Sequence, residues 1–302
     1  MKGQFYDVLE IFRRNGEPSP THHYLFNGDF VDRGSWSTEV ALLLYAYKVL
    51  YPTSVHINRG NHETDDMNKV YGFEGECRAK YSSPHPRLTI SRYNDRVFKM
   101  FSETFSALPL ATLVGNKYLI LHGGLFSKDG VTLDDIRKID RHARRQPAHE
   151  GLVNEMLWTD PQPNPGRGPS KRGVGLQFGP DVTKAFCDAN GLDAIIRSHE
   201  VRMEGYEIEH ENRLITVFSA PNYWYFPPIS LLLDSAGSLF FRRAPFWTYF
   251  RLTGGFSDTT GNKGAWINLG SDLKLQFGTF EAVPHPNVRP MAYASNLVGS
   301  LM

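Results

Sequence analysis

Short apolar segments alternate with polar, glycine-rich turns along much of the 302-residue chain. Segments of this length that end abruptly at polar residues are typical of buried strands. The pattern predicts five strands, at residues 24–27, 55–58, 118–121, 194–196 and 214–218, with helices between them at 37–51, 92–105 and 181–190. Apolar residues cover nearly the whole circumference of the helix at 37–51, which is therefore expected to be well buried.

The turns that follow these strands carry polar side chains suited to chemistry. They supply Asp29, Asn61, His62, His122 and His199. Strands that alternate with helices predict a layered α/β fold with the strands in the middle. Because strand ends gather along one rim of a sheet in such folds, we expect these side chains to lie close together.

The residue types at these turns favour a particular class of metal ion. Mixed oxygen and nitrogen donors suit Mn, Fe or Zn better than Ca or a thiolate-bound metal. Asp29 is the one carboxylate among the candidate ligands, so it is the expected bridge if two metals bind. Asn61 offers an amide oxygen, and His122 and His199 offer one ring nitrogen each. A carboxylate-bridged metal pair can activate water at neutral pH and hold a phosphate for in-line attack.

Two arginines fit a phosphate ligand, because guanidinium groups match phosphate oxygens in pairs. Arg33 directly follows Asp32, and Arg172 lies in Ser-Lys-Arg-Gly at 170–173. Other interpretations stay open at each position. A lone histidine is more often a hydrogen-bonded structural residue, Asp32 and Arg33 can form a local salt bridge, and Arg172 can be an exposed charge in a Pro/Gly-rich surface loop over 160–175. Five strand ends taken together favour a site.

Composition limits the class of partner. The 33 basic and 32 acidic residues leave a net charge of +1, which gives no global attraction to nucleic acid or to an anionic membrane. The two cysteines are too few for a disulfide framework and fit a reducing compartment, the cytoplasm or the nucleus. The first residues show no secretory signal, and charged residues within the apolar stretch 229–250 argue against a membrane span.

Six ordered segments resemble the signatures of the phosphoprotein phosphatase family. They are Gly-Asp-Phe-Val-Asp-Arg-Gly at 28–34, Arg-Gly-Asn-His-Glu at 59–63, His-Gly-Gly-Leu at 122–125, Lys-Arg-Gly-Val at 171–174, Arg-Ser-His-Glu at 197–200 and Ser-Ala-Pro-Asn-Tyr at 219–223. The resemblance implies one calcineurin-like metallophosphoesterase domain over 1–302, with a central β-sandwich flanked by α-helices. It also implies hydrolysis of phosphoserine and phosphothreonine in protein substrates.

The family resemblance assigns a role to each candidate residue. Asp29 would bridge two metals, and Asn61, His122 and His199 would complete the ligands of the second. His62 would protonate the leaving oxygen as general acid, with Asp32 orienting its ring. The phosphate would be bound by Arg33, Arg172 and Tyr223.

Residues 71–76, 129–137 and 282–293 resemble the type 5 protein phosphatases in particular. Members of that subfamily carry an N-terminal tetratricopeptide domain that docks chaperones and inhibits the enzyme. The sequence contains no such domain, so chaperone docking is not expected of it.

The start of the chain departs from the family pattern. The first family signature, Gly-Asp-x-His-Gly, supplies an Asp and a His to the first metal, but only Met1 and Lys2 precede Gly3 here. We therefore expect an N-terminally truncated domain with one complete metal site, a gap or an exposed sheet edge, and severely reduced turnover.

A second departure is an insertion at about 224–257, rich in Phe, Leu, Trp and Arg. A retained intron or an error in the gene prediction is the preferred interpretation, and a substrate-recognition element is the alternative. Three functions remain open: a protein serine/threonine phosphatase, a catalytically impaired phosphoprotein-binding relative, and a nucleotide metallophosphoesterase.

Overall fold

A computed structural model describes residues 1–81, 91–143, 145–223 and 260–286, with only the backbone at 91–94. The helices are α1 (Phe5–Asn15), α2 (Ser37–Leu50), α3 (Asp65–Tyr71), α4 (Phe73–Lys80), α5 (Ser91–Ala107), α6 (Leu133–Arg137), α7 (Leu152–Trp158) and α8 (Pro180–Asn190). The strands are β1 (Tyr24–Asn27), β2 (Val55–Asn58), β3 (Ala111–Val114), β4 (Tyr118–Leu121), β5 (Asp160–Pro161), β6 (Arg167–Pro169), β7 (Leu176–Phe178), β8 (Ala194–Arg197), β9 (Tyr206–Glu209), β10 (Leu214–Val217), β11 (Gly264–Leu269) and β12 (Leu275–Phe280).

The five predicted strands are confirmed as β1, β2, β4, β8 and β10, and the three predicted helices as α2, α5 and α8. Strands β1 and β2 pair in parallel. A five-stranded sheet has the order β3-β4-β8-β10-β9, in which β4, β8 and β10 are parallel. The predicted layered α/β fold, with sheets flanked by helices, is confirmed.

The β1–β2 pair and the five-stranded sheet each have their own apolar core. Phe26 of β1 and Val55 of β2 pack with side chains of α1, α2, α4 and α5, including Phe12, Leu44 and Phe73. The five-stranded sheet packs with α7 and α8 through a second cluster, which includes Leu119, Leu121, Met156, Phe186 and Ile195. The helices thus cover the sheets from outside and leave the ends of the strands free to form a site.

Two asparagines tie the sheets together. The amide of Asn27 donates to the carbonyl of Leu121 at 2.7 Å, and the amide of Asn58 donates to Ile120 at 3.1 Å. The Asn58 amide also donates to the side-chain oxygen of Asn27 at 3.1 Å. Because buried amides are costly unless paired, this chain of hydrogen bonds fixes how the two sheets meet.

The expectation that helix 37–51 is well buried is wrong for much of its surface. Val40, Ala41 and Leu44 are fully buried, but Val49 is 82% exposed and Leu50 is 62% exposed. The apolar composition shows what the helix is able to bury, whereas the neighbouring elements decide which face is covered. The covered face packs mainly against β2, α1 and α4.

The interpretation of 160–175 as a surface loop is also wrong in part. Residues Asp160–Pro161 form β5, which pairs with β7 in a three-stranded sheet, and Asp160 is buried. The predicted insertion at 224–257 lies outside the described residues. Across the ranges that the structure describes, no helix combines the length and apolarity needed to cross a bilayer.

Candidate active site

Three strand ends bring metal-ligating side chains together. Asp29 follows β1, His122 follows β4 and His199 follows β8. One ligand atom from each of these buried side chains lies within 4.8 Å of the other two, the one such group found among the described residues. Asn61, which follows β2, joins them, with its side-chain oxygen 3.1 Å from Nε2 of His122.

Hydrogen bonding shows which atoms offer lone pairs. Nδ1 of His122 lies 2.8 Å from the carbonyl oxygen of Asn27, so in the neutral ring the proton is on Nδ1 and Nε2 carries a lone pair. That nitrogen faces Oδ1 of Asp29 at 3.2 Å and Nδ1 of His199 at 3.2 Å. The Asn61 side-chain oxygen faces only acceptors as placed, whereas the swapped amide would donate to His122, His199 and Asp29. Binding a metal through Asn61 requires the oxygen to point inward.

Four side chains that can each donate an electron pair therefore converge on one buried point. Such donors repel one another unless a cation or a proton lies between them, so their convergence fits a bound metal ion. The set of one carboxylate, one amide oxygen and two imidazoles is of intermediate hardness, which suits Mn, Fe or Zn.

Charge around Asp29 keeps it ionised. Burial raises the pKa of Asp29, but nearby positive charge, that of the Lys2 ammonium included, outweighs burial and holds it well below its ordinary value. Nζ of Lys2 lies 2.9 Å from Oδ2 of Asp29, and both side chains are 7% exposed. An ionised carboxylate is the form that binds a metal.

Glu63 organises the turn that carries Asp29, and sequence reasoning missed it. Its carboxylate accepts the backbone N–H groups of Asp29 at 2.7 Å, Phe30 at 3.0 Å and Gly60 at 2.7 Å. A side chain on Gly60 would collide with Asp29 and Glu63. The position of Glu63 at the end of Arg-Gly-Asn-His-Glu was the signal that was available.

His62 lies against Asp32 beside the metal-ligating cluster. Nδ1 of His62 is 2.8 Å from Oδ2 of Asp32, and its backbone N–H donates to Asp29 at 3.0 Å. Asp32 also accepts from the amide of Asn68 at 3.0 Å, and that amide donates to the carbonyl of His62 at 2.7 Å. Asn68 thus fixes both members of the pair, although no sequence motif marked it.

The two predicted phosphate-binding arginines lie in different surroundings. The guanidinium of Arg33 is 4.4 Å from the ring centroid of Tyr71 and 5.5 Å from that of Tyr223, and its buried Nε has no hydrogen-bond partner among the described residues. The buried hydroxyl of Tyr223 also lacks a partner there. These atoms keep their hydrogen-bonding capacity for a ligand.

Arg172, by contrast, is held by Asp160. Its Nε donates to Asp160 at 2.6 Å, and its side chain is 35% exposed. The fully buried Arg197 donates to the other oxygen of Asp160 at 2.7 Å. Burial raises the pKa of Asp160, but Arg197 and then Arg172 outweigh burial and lower it. Arg172 is therefore not a free surface charge.

Several of these residues have left-handed backbone. The φ angles are 54° at Asp29, 69° at Asp32, 60° at Arg33 and 70° at His199. Non-glycine residues adopt this region rarely and at a cost that the surrounding structure must offset. The sharp turns place Asp29 and His199 in the converging group. Asp32 lies beside that group against His62.

Comparisons with known proteins identify the family of the chain. The calcineurin-like phosphoesterase family matches residues 1–203. The chain is 64% identical over 99% of its length to serine/threonine-protein phosphatase T of Aspergillus oryzae and 53% identical over 98% to human serine/threonine-protein phosphatase 5, covering 53% and 50% of those proteins. It therefore spans about half the length of the curated relatives it matches.

A solved structure shows the same fold. A Saccharomyces cerevisiae protein serine/threonine phosphatase, described as similar to human phosphatase PP5, superposes with a TM-score of 0.78 at 45% identity, covering 97% of this chain and 81% of that one. The matches extend across nearly the whole chain, well beyond the metal-ligating segments. The chain belongs to the calcineurin-like phosphoesterase family, and within it the chain is similar to serine/threonine-protein phosphatases T and 5.

Proposed function

We propose that this chain is the catalytic part of a protein phosphatase that hydrolyses phosphoserine and phosphothreonine in protein substrates. The observation that carries the proposal is the convergence of Asp29, Asn61, His122 and His199 on one buried point, with the His62–Asp32 pair and Arg33 beside it. When bound, the metal supplies Lewis-acid chemistry, since it activates water and polarises phosphorus–oxygen bonds. The names of the relatives support a protein substrate.

The side chains around that point divide the remaining work. Arg33 binds the phosphate with its open guanidinium edge, and the hydroxyl of Tyr223 adds a hydrogen bond. Arg172 contributes further positive charge while Asp160 holds it in place. Fixed donors that face the developing negative charge stabilise the transition state without reorganising.

His62 protonates the leaving serine or threonine oxygen. Burial, and after it the Lys2 ammonium, hold the pKa of His62 well below its ordinary value. The ring is therefore neutral in the absence of ligand. A bound phosphate dianion favours the protonated ring, because opposite charge nearby raises the pKa of an imidazole. Asp32 fixes the Nδ1–H and orients the other nitrogen for the transfer.

The metal proposed here is one ion of Mn, Fe or Zn per chain, held by the four converging donors. Oδ2 of Asp29 already faces the Lys2 ammonium, and we expect turnover below that of an enzyme that binds two ions. The two free, buried cysteines support the cytoplasm or nucleus as the place of action.

The experiment is phosphate release from a phosphoserine peptide by the chain loaded with Mn²⁺. We expect slow, metal-dependent turnover that falls about 100-fold in His62→Asn, as for loss of a general acid. The exposed His142→Asn is the matched control and should keep wild-type turnover. Equal rates in His62→Asn and wild type, or two stoichiometric ions with fast turnover, would contradict the proposal.

A second candidate is a phosphoprotein-binding relative with little chemistry. The ion pair between Lys2 and Asp29 favours it, because the ammonium engages one oxygen of the central ligand. In that case the chain binds the phosphopeptide through Arg33 but releases no phosphate above the metal-free background.

A further inference from the structure

Lys2 lies inside the site rather than at its edge. Its side chain is 7% exposed and its Nζ is 2.9 Å from Oδ2 of Asp29. The ammonium also lies 5.1 Å from the ring centroid of Tyr223, the ring that Arg33 approaches from another direction. Positive charge from the chain itself therefore reaches the carboxylate at the centre of the proposed metal site.

Backbone contacts hold Lys2 in this position. The N–H of Lys2 donates to the carbonyl of Asp29 at 2.9 Å, and the N–H of Gly3 donates to Phe30 at 3.1 Å. Gly3 has a φ of 68°, and a side chain on it would meet Gly34 and Ser37 at 2.7 Å. Residues 1–3 thus run directly against the turn that carries Asp29.

The two oxygens of Asp29 have different partners. Oδ1 faces His122 at 3.2 Å and accepts the N–H of His62 at 3.0 Å. Oδ2 faces the Lys2 ammonium. The first oxygen belongs to the converging lone pairs, whereas the second is already neutralised by a fixed cation.

We propose that the Lys2 ammonium is a built-in competitor of metal ions at Asp29. It neutralises Oδ2, leaves Asp29 to bind a metal through Oδ1 alone, and holds the position next to Oδ2 where a second ion would otherwise sit. The inference rests on the proposed metal site.

The physical basis is charge repulsion at short range in a buried site. A divalent ion on Oδ1 and an ammonium on Oδ2 of one carboxylate are like charges screened by little solvent, so each weakens the binding of the other. A neutral side chain at position 2 removes this repulsion and returns the full carboxylate charge to the metal.

The test measures metal binding directly, by titration calorimetry with Mn²⁺ and by the visible absorption of bound Co²⁺. The proteins are the metal-free full chain, Lys2→Met, and Lys2→Arg, which keeps the charge. We expect Lys2→Met to bind at least about tenfold more tightly than wild type, which corresponds to about 1.4 kcal/mol. Lys2→Arg and the exposed-site control Lys99→Met should stay within about threefold of wild type, too small a change for loss of a buried charge.

Stoichiometry gives an independent readout. Wild type should bind one ion even at saturating Mn²⁺, while Lys2→Met should take up a second, weaker ion at the freed oxygen. If Lys2→Met fails to fold, as judged by its melting curve, Lys2→Gln replaces it as the neutral variant.

The outcomes separate this inference from the proposed function. Affinity that is unchanged or lower in the neutral variant overturns the role of Lys2, even if wild type binds one ion. Two ions in wild type overturn it as well. Metal binding in Lys2→Met but none in wild type supports the competitor role and contradicts a metal-loaded wild-type enzyme. No binding in either protein overturns both.

Discussion

The two predicted phosphate-binding arginines meet the site in opposite ways. Arg33 lies near the rings of Tyr71 and Tyr223, and its Nε has no hydrogen-bond partner within the described part of the chain. Arg172 shares a buried carboxylate, Asp160, with Arg197. The Arg33 guanidinium keeps hydrogen-bonding capacity for a ligand. The Arg172 guanidinium must give up part of its ion pair with Asp160 to bind one. Two arginines with the same expected role therefore differ in how strongly each can bind a phosphate.

The largest effect is expected from removing the Asp160 carboxylate, and it concerns the stability of the fold. Asp160→Asn removes the negative charge that compensates the fully buried Arg197, and loss of one partner of a buried ion pair costs about 3 kcal/mol of unfolding free energy. Urea denaturation measures it. The control is Asp193→Asn, which removes a half-exposed partner of Lys117 and should change stability little. Similar losses in both variants would show that Asp160 is not a structural anchor.

The role of Arg33 in phosphate binding is tested by measuring phosphate affinity. Arg33→Lys keeps the charge but loses the planar fork, and we expect the Kd of inorganic phosphate to rise about 10- to 100-fold, as for loss of charge-assisted hydrogen bonds. Arg172→Lys should raise it no more than about fivefold, because Asp160 already engages that guanidinium. Titration calorimetry on the metal-loaded chain gives both values. Equal rises in the phosphate Kd of Arg33→Lys and Arg172→Lys would show that the two arginines do not differ in phosphate binding.

A pH experiment tests Asp7, a buried carboxylate on α1. Burial raises the pKa of Asp7 to about 6, although the Val283 N–H and the Gln4 amide oppose the shift. The folded state therefore holds a proton more tightly than the unfolded chain, so this contribution to stability is present below about pH 4 and is lost as pH rises to about 6. Asp7→Asn should remove that slope and stabilise the chain at pH 7 by up to about 2 kcal/mol. Melting temperatures between pH 4 and 8 measure it, and an unchanged slope in Asp7→Asn would contradict the assignment.

The smallest effect concerns Tyr223. Its buried hydroxyl has no partner among the described residues, so Tyr223→Phe should leave the unfolding free energy within about 0.5 kcal/mol or raise it. If the hydroxyl bonds phosphate, the same variant should bind phosphate about fivefold more weakly, the value of one hydrogen bond. A drop in stability with unchanged phosphate binding would make Tyr223 a structural residue instead.

Local pattern was enough to predict the strands and the residues at their ends. Asp29, Asn61, His122 and His199 each follow a short apolar run, and parallel strands bring such ends to one rim. The predicted α/β layers follow from the same alternation of strands and helices. These features depend on residues close together in the sequence, so one sequence is sufficient to predict them.

Features that depend on distant neighbours were missed or wrong. Asp160 was assigned to a surface loop because its surroundings are rich in Pro and Gly, yet Arg197, far along the chain, makes it a buried anchor. Asn68 lies in an ordinary helical segment, and only the folded chain places its amide between Asp32 and His62. The exposed end of α2 shows the same limit, because composition does not say which neighbour covers a face.

The asparagine ties between the sheets have a consequence for how fast a metal ion enters. Asn27 and Asn58 join β1 and β2 to β4, so the side chains proposed as metal ligands on the two sheets are held at a fixed separation. Uptake then needs no closing motion, and its rate should follow ion encounter and loss of hydration water rather than a conformational step. Amide hydrogen exchange in β1, β2 and β4 should be equally slow with and without the ion.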